Sequence, residues 1–250
     1  MEVHHHPHVE KKSFKEYLLE GLMIFIAVSM GFIAESIREN ISDNAKEKEY
    51  MISLVNDLKN DMISIKTHLT NKKHGIEKAD SVLSLLNQKN YQDQTGEIYY
   101  LGRSLSIRSF YYANDGTIQQ LKNAGGFRFI KKRNVIDSLQ KYISHTGNLS
   151  ALQELEEANL NEYRKTLHKL FYAQIFNKMY DTTKIGLNIT RLNYNPPLAS
   201  NNKLDINEFN MKVIYIKGVR LSEIGSFMYL FNTAASIIAL IEKEYHLENE

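Results

Sequence analysis

The chain has 250 residues, 24% of them charged, and a formal net charge of +2. That balance gives no electrostatic footprint for nucleic acid, and the lack of cysteine excludes disulfides, thiolate metal sites and cysteine-based chemistry. Proline occurs only at Pro7, Pro196 and Pro197, so residues 8–195 lack the strongest helix breaker and long helices are expected.

Residues 1–16 form a polar tail with His4, His5, His6 and His8 around Pro7, followed by Lys11, Lys12 and Lys15. Neutral imidazoles can ligate transition metals, but a flexible histidine tail does so adventitiously, so no metal site or cofactor is assigned. Next comes Gly21 to Ala34, GLMIFIAVSMGFIA, without a single charge. Extended to Tyr17–Ile37 it would cover about 31 Å as a helix, the span of a bilayer's hydrocarbon core. Glu20 and Glu35 then lie within a turn of the ends, and Tyr17 at the interface.

Residues 17–37 are therefore expected to be a transmembrane anchor. On it Glu20, Ala27, Gly31 and Glu35 share an arc of about 80°, and Ala27 with Gly31 makes a small-xxx-small pair. This stripe is a candidate packing face for a second copy or another membrane protein. The plain alternative leaves both acids among lipid headgroups. Two rivals to the anchor are a cleaved signal peptide, with Ala34-Glu35-Ser36 as a weak cleavage site, and a buried core helix. Lysines precede the stretch and Arg38 stands alone after it, so the positive-inside rule predicts a cytoplasmic amino terminus and an extracytoplasmic bulk.

Residues 38–250 read as helical throughout. Met51, Val55, Leu58, Met62, Ile65 and Leu69, then Ile76, Ala79, Leu83 and Leu86, recur in steps of three and four with a break around Lys72–Gly75. This predicts a long, coiled-coil-like helix, either a stripe in a bundle or a pairing surface for a second copy. Residues 87–96 read as a polar loop, and Glu97–Tyr112 as a helix rich in tyrosine. Thr117 and Gln120 suggest a capping box for a short helix through Asn123, ended by Gly125-Gly126. Arg128, Lys131, Lys132 and Arg133 form a basic cluster, a candidate contact for an anion or lipid headgroup, or simply a solvated turn. Asn134 is expected to cap a helix that stops near Gly147, with a separate helix from Ser150 to about Tyr180. Residues 181–206, with both internal prolines, read as an irregular loop suited to partners. A short helix or strand over 207–217 precedes a last helix, Leu221 to about Tyr245. Its stripe Leu221, Ile224, Met228, Phe231, Ala235 and Ile238 marks it as core rather than a second span.

The run TIQQLKNAGGFRFI, followed by DSLQKYI, resembles a segment of an uncharacterised bacterial family; the anchor with its flanks, KEYLLEGLMIFIAVSMGFIAESIRE, is similar too. Together these cover about a quarter of the chain. The resemblance implies one amino-terminal membrane helix, a helical extracytoplasmic region and a bacterial cytoplasmic membrane. The family carries no activity from which catalytic residues could be transferred.

No GxGxxG, Walker, HExxH or GxSxG pattern occurs, and no histidine outside the tail has the Glu-x-x-His spacing of di-metal bundles. The expected fold is all-α: a membrane helix followed by a bundle. The expected function is non-enzymatic, a membrane-anchored scaffold or accessory protein contacting other proteins, with the bilayer and its own copies or another membrane protein as partners. The alternatives are a subunit of an ion-driven or secretion machine, packed through the Glu20–Glu35 stripe, and a helical enzyme or small-ligand sensor with a pocket near the tyrosine-rich helix.

Overall fold

The structure, a computed structural model, describes residues 13–123 and 125–247; the histidine cluster at His4–His8 lies outside the described residues. Among the described residues it is all-helical, with no strand. In order come α1 (Phe14–Leu86), α2 (Thr95–Leu105), α3 (Gly116–Asn123), α4 (Arg133–Leu170), α5 (Ala173–Lys178) and α6 (Lys203–Tyr245), with 3-10 turns at Tyr91–Gln94 and Gly126–Phe129.

The chain divides into two compact units, one ending at Tyr50 and one beginning at Met51. In the first, the large side chains from Phe14 to Ile41 are exposed on every side of the helix, Phe25 at 69% and Phe32 at 72%. Two helices are long and apolar enough to cross a membrane, Phe14–Leu86 and Lys203–Tyr245; none of the first one's apolar window is buried, against 33% of the second's.

The second unit is built of rods that run up and down. Lys59 pairs with Glu242, Lys72 with Glu223 and Asp80 with Lys217, so the two helices α1 and α6 are antiparallel. Asn134 bonds Glu244, Glu156 bonds Arg220 and Glu208 bonds Lys169, so α4 and α6 are antiparallel as well. Between α1 and α4 the chain returns as α2 and an extended segment, held by Tyr163 donating to the Gly102 carbonyl at 2.6 Å and Asn114 N–H donating to Asp61 at 2.7 Å.

Each long helix buries one heptad seam. On α1 it runs Met51, Leu54, Leu58, Asp61, Ile65, His68, Lys72, then Ala79, Val82 and Leu86. On α4 it is Val135, Leu139, Tyr142, Leu149, Gln153, Glu156, Leu160 and Tyr163, and on α6 Phe209, Val213, Ile216, Arg220, Glu223, Phe227, Leu230, Ala234, Ile237 and Ile241. All three pass through charged residues near mid-height.

Several expected boundaries move. α4 is one helix where two were expected: Gly147 lies inside it, because Tyr142 and Leu149 on either side are fully buried and offset the ~1 kcal/mol a helical glycine costs. It ends at Leu170, not near Tyr180, where Phe171 turns into the core beside Tyr99 with ring centroids 4.9 Å apart. Residues 207–217 belong to α6, which is capped by Asn202 accepting from Leu204 N–H. Of the expected α6 stripe Ile238 is buried, but most of it is one position out: Leu221 and Met228 are 53% and 52% exposed, while Arg220 and Phe227 face inward. The tyrosine-rich helix stops at Leu105 instead of Tyr112. Beyond it Tyr111 is extended, its N–H donating to Gln153 Oε1 at 2.9 Å and its carbonyl accepting from Gln153 Nε2 at 3.2 Å, so a side-chain amide takes the part of a neighbouring strand.

Two glycines of the bundle contrast. A methyl group at Gly75 would stand 2.7 Å from Arg220 Nη1, and at Gly147 it would meet nothing within 4 Å. Gly75→Ala is expected to destabilise the protein by roughly 1–3 kcal/mol, because Arg220 is buried and held by Glu156 and cannot retreat. Gly147→Ala is expected to stabilise it by about 0.5–1 kcal/mol. Guanidinium unfolding midpoints of the two variants check both signs.

Candidate functional site

The seam break at Lys72–Gly75 on α1 marks a buried ionic cluster. Lys72 Nζ donates to Glu156 Oε2 at 2.6 Å and lies 2.5 Å from Glu223 Oε2. Arg220 Nε donates to Glu156 Oε1 at 2.8 Å, and its Nη2 to the Leu105 carbonyl at 3.3 Å. Arg108 Nε stands 3.2 Å from Glu156 Oε2, and its Nη1 donates to Glu157 at 3.1 Å. Arg164 Nη1 donates to the other Glu157 oxygen, and its Nη2 to the Ser106 carbonyl at 3.0 Å. The side chains of Lys72, Arg108, Arg220, Glu156 and Glu223 are all at most 6% exposed.

Local sequence explains the assembly. α2 ends at Leu105, so the carbonyls of its last turn lack helical partners and carry the negative end of the helix dipole. Arg220 and Arg164 cap two of the carbonyls there. Gly75 leaves room for the Arg220 guanidinium against α1. Unwinding after α2 brings Arg108 to the cluster, with its guanidinium 4.0 Å above the Phe110 ring.

The two buried glutamates are not equivalent. Burial works against the charged form of Glu156, but Lys72 and Arg220 outweigh it and hold the carboxyl below its usual value. At Glu223 burial, reinforced by the charge of Glu156, wins over Lys72 and pushes the carboxyl up. Neither Glu223 oxygen accepts a hydrogen bond, nor does Arg108 Nε donate one. The Lys72–Glu223 approach is close but not aligned for a hydrogen bond, so it is a charge contact alone.

Beside the cluster opens a cavity of about 310 Å³, lined by Lys72, His74, Gly75 and Lys78 of α1, Tyr100 and Ser104 of α2, and Arg108, Glu156 and Arg220. About three turns below Lys72 on α1, a second polar group satisfies itself: Asp61 accepts from Tyr142 at 2.6 Å and from both the N–H and side chain of Asn114. His68 stacks on Phe227 at 5.7 Å; burial and then Lys72 hold its pKa below the ordinary value. Ser109 Oγ is 3.5 Å from His68 Nδ1, at the long limit of a hydrogen bond. Among the described residues no group of three or more His, Asp or Glu could hold a metal ion. A larger hollow of about 620 Å³ lies against Phe171, Tyr172 and Phe176, but its arginines are already engaged, Arg103 with Ser106 and Tyr180 and Arg164 with Glu157.

The residues singled out in the sequence lie elsewhere. Ala27, Gly31 and Glu35 are exposed and Glu20 partly so, and Glu35 accepts twice from Arg38 one turn on. Of the basic cluster, Lys132 pairs with Glu244 at 2.9 Å, Arg133 with Asp137 at 3.6 Å, and Arg128 lies 4.9 Å above the Phe129 ring. The sequence shows Lys72 only as a break in the apolar seam and gives no local pattern that joins it to Glu156, Arg220 and Glu223. The available signal was the seam's own period: continued in steps of three and four through Lys72, Glu156 and Glu223, it puts all three inward.

Comparison with family profiles, curated proteins and solved structures returns no match.

Lys72→Met is expected to cost roughly 3–5 kcal/mol, since it leaves two carboxylates buried without the cation between them. Glu223→Gln reports the pH linkage. A carboxyl with a raised folded pKa contributes stability that is present below its ordinary value of 4.5 and lost as pH rises through the folded value. The variant should therefore gain stability over wild type as pH rises from 4.5, then level off. Urea titrations at stepped pH measure this.

Proposed function

We propose that this is a membrane-tethered, non-enzymatic helical accessory protein that acts by binding. The observation that carries the reading is the contrast along α1. Residues 21–34 carry no charge and their large apolar side chains are exposed all round the helix, as in a helix set in lipid, whereas from Met51 on the apolar side chains gather chiefly on one stripe and it is buried. We place the amino terminus in the cytoplasm and the bundle outside a bacterial cytoplasmic membrane, on the lysines before the stretch and on the family resemblance. α6 is read as a bundle helix, because its apolar stretch 224–241 turns one stripe, Phe227, Leu230, Ala234, Ile237 and Ile241, into the core, and Arg220 and Glu223 just before it are buried in ion pairs with α1 and α4. The exposed stripe Glu20, Ala27, Gly31 and Glu35 supplies a face for a second membrane helix, a copy of this chain or another membrane protein.

The test is extraction. Alkaline carbonate is expected to leave the intact protein in the membrane pellet and detergent to release it, and recovery in the carbonate supernatant would overturn the tether. Mass measurement after mild detergent extraction is expected to show a homo-oligomer or a small complex. Protease added to spheroplasts is expected to remove the bundle and spare the amino-terminal tail.

A further inference from the structure

The cavity beside the ionic cluster has a lining of uneven sign. Lys72, Lys78, Arg108 and Arg220 contribute to its wall, against the single carboxylate of Glu156. At full burial three cations, Lys72, Arg108 and Arg220, face two carboxylates, Glu156 and Glu223, with the part-exposed Glu157 beside Arg108. Charges withdrawn from water need counter-charges, and a buried excess of one sign costs several kcal/mol per ion.

Two observations point from this excess to a ligand. Arg108 and Ser104 both line the cavity, and beneath its surface Arg108 Nε, in charge contact with Glu156 alone, and Ser104 Oγ are buried without a hydrogen-bond partner, although buried polar atoms are nearly always bonded. Lys78 stands partly exposed in the same wall, its ammonium 5.8 Å from the Tyr100 ring rather than on a carboxylate. A guanidinium, a hydroxyl and an ammonium around one hollow are the donor set for an oxyanion, which accepts at two or three oxygens at once. A volume of about 310 Å³ is at the small end of ligand sites and suits a compact molecule. The raised carboxyl of Glu223 adds to the positive balance.

We propose that the cavity between α1, α2, α4 and α6 binds the oxyanion of a compact ligand, a carboxylate or phosphate group, through Arg108, Ser104 and Lys78, with Lys72 and Arg220 behind them. The proposal does not depend on the tether and would stand if carbonate extracted the protein.

The test uses the full chain in dodecyl maltoside, with thermal unfolding followed by circular dichroism. Sodium phosphate, citrate and chloride are titrated at constant ionic strength, and dihexanoyl phosphatidate in a fourth series. The midpoint is expected to rise saturably with phosphate or citrate and not with chloride. A saturable rise only with the phosphatidate also upholds the oxyanion site and assigns it to a lipid headgroup. Lys78→Gln, at a partly exposed position outside the ion-pair network, is expected to keep the unliganded midpoint and to weaken half-saturation about tenfold, the effect of one lost charge-assisted hydrogen bond. Ser104→Ala is expected to weaken it less, and Glu223→Gln to tighten it. No saturable rise with any oxyanion, or undiminished affinity in Lys78→Gln, overturns the proposal.

Discussion

The bundle depends on how buried charge is compensated at its middle. Lys72, Glu156, Glu223 and Arg220 come from three different helices, and each has left water. An apolar seam tolerates sliding by a turn, because one leucine layer resembles the next. An ionic layer does not, since a shift of one turn leaves several charges in hydrocarbon without partners. The three rods therefore hold a single mutual height. Leu105 and Ser106 follow from it: α2 has to stop where Arg220 and Arg164 can reach its last carbonyls.

Above this layer Ala79, Leu160, Ile216 and the tyrosine and phenylalanine rings around Tyr99 and Phe171 form one apolar core. Below it Leu58, Leu139, Leu149 and Phe227 form the rest of the buried apolar side. The return segment after α2 crosses the layer in extended form, and Gln153 is the device that permits this. Its amide pairs with both backbone polar groups of Tyr111, which would otherwise be buried without partners. The interior irregularities of the second unit, Gly75, the end of α2 and Arg108, all gather at this height.

Much of the architecture was legible in the residues. A scarcity of proline, the 3-4 spacing from Met51 onward and the glycine pair at 125–126 lead to long helices in these places. What was not legible follows from one assumption, that seam positions are apolar. Under it Met62 and Leu69 look like seam members, although they are only partly buried, while Asp61 and His68 occupy the seam itself. The same assumption displaces the α6 stripe by one residue, because Arg220 and Glu223 hold seam positions that it reserves for apolar side chains. The expected stop at Gly147 failed for another reason: a glycine's local preference is small beside the burial of Tyr142 and Leu149. Of the cavity, only the tyrosine-rich wall around Tyr100 was foreseeable. Its charged side is assembled by residues up to 148 positions apart, from Lys72 to Arg220, which no local pattern connects.

The seams keep an average step of 3.5 residues over α1 from Met51, α4 and α6, slightly less than the 3.6 of a straight helix. A sustained seam of that step favours a left-handed winding of the rods about each other. It also makes rod length a protected quantity. Losing a single residue between Met51 and Lys72 would turn everything on one side of the gap by about 100°. Substitutions on the outer faces can therefore accumulate freely over evolution, whereas insertions and deletions are confined to the connections, chiefly residues 87–94 and 181–202.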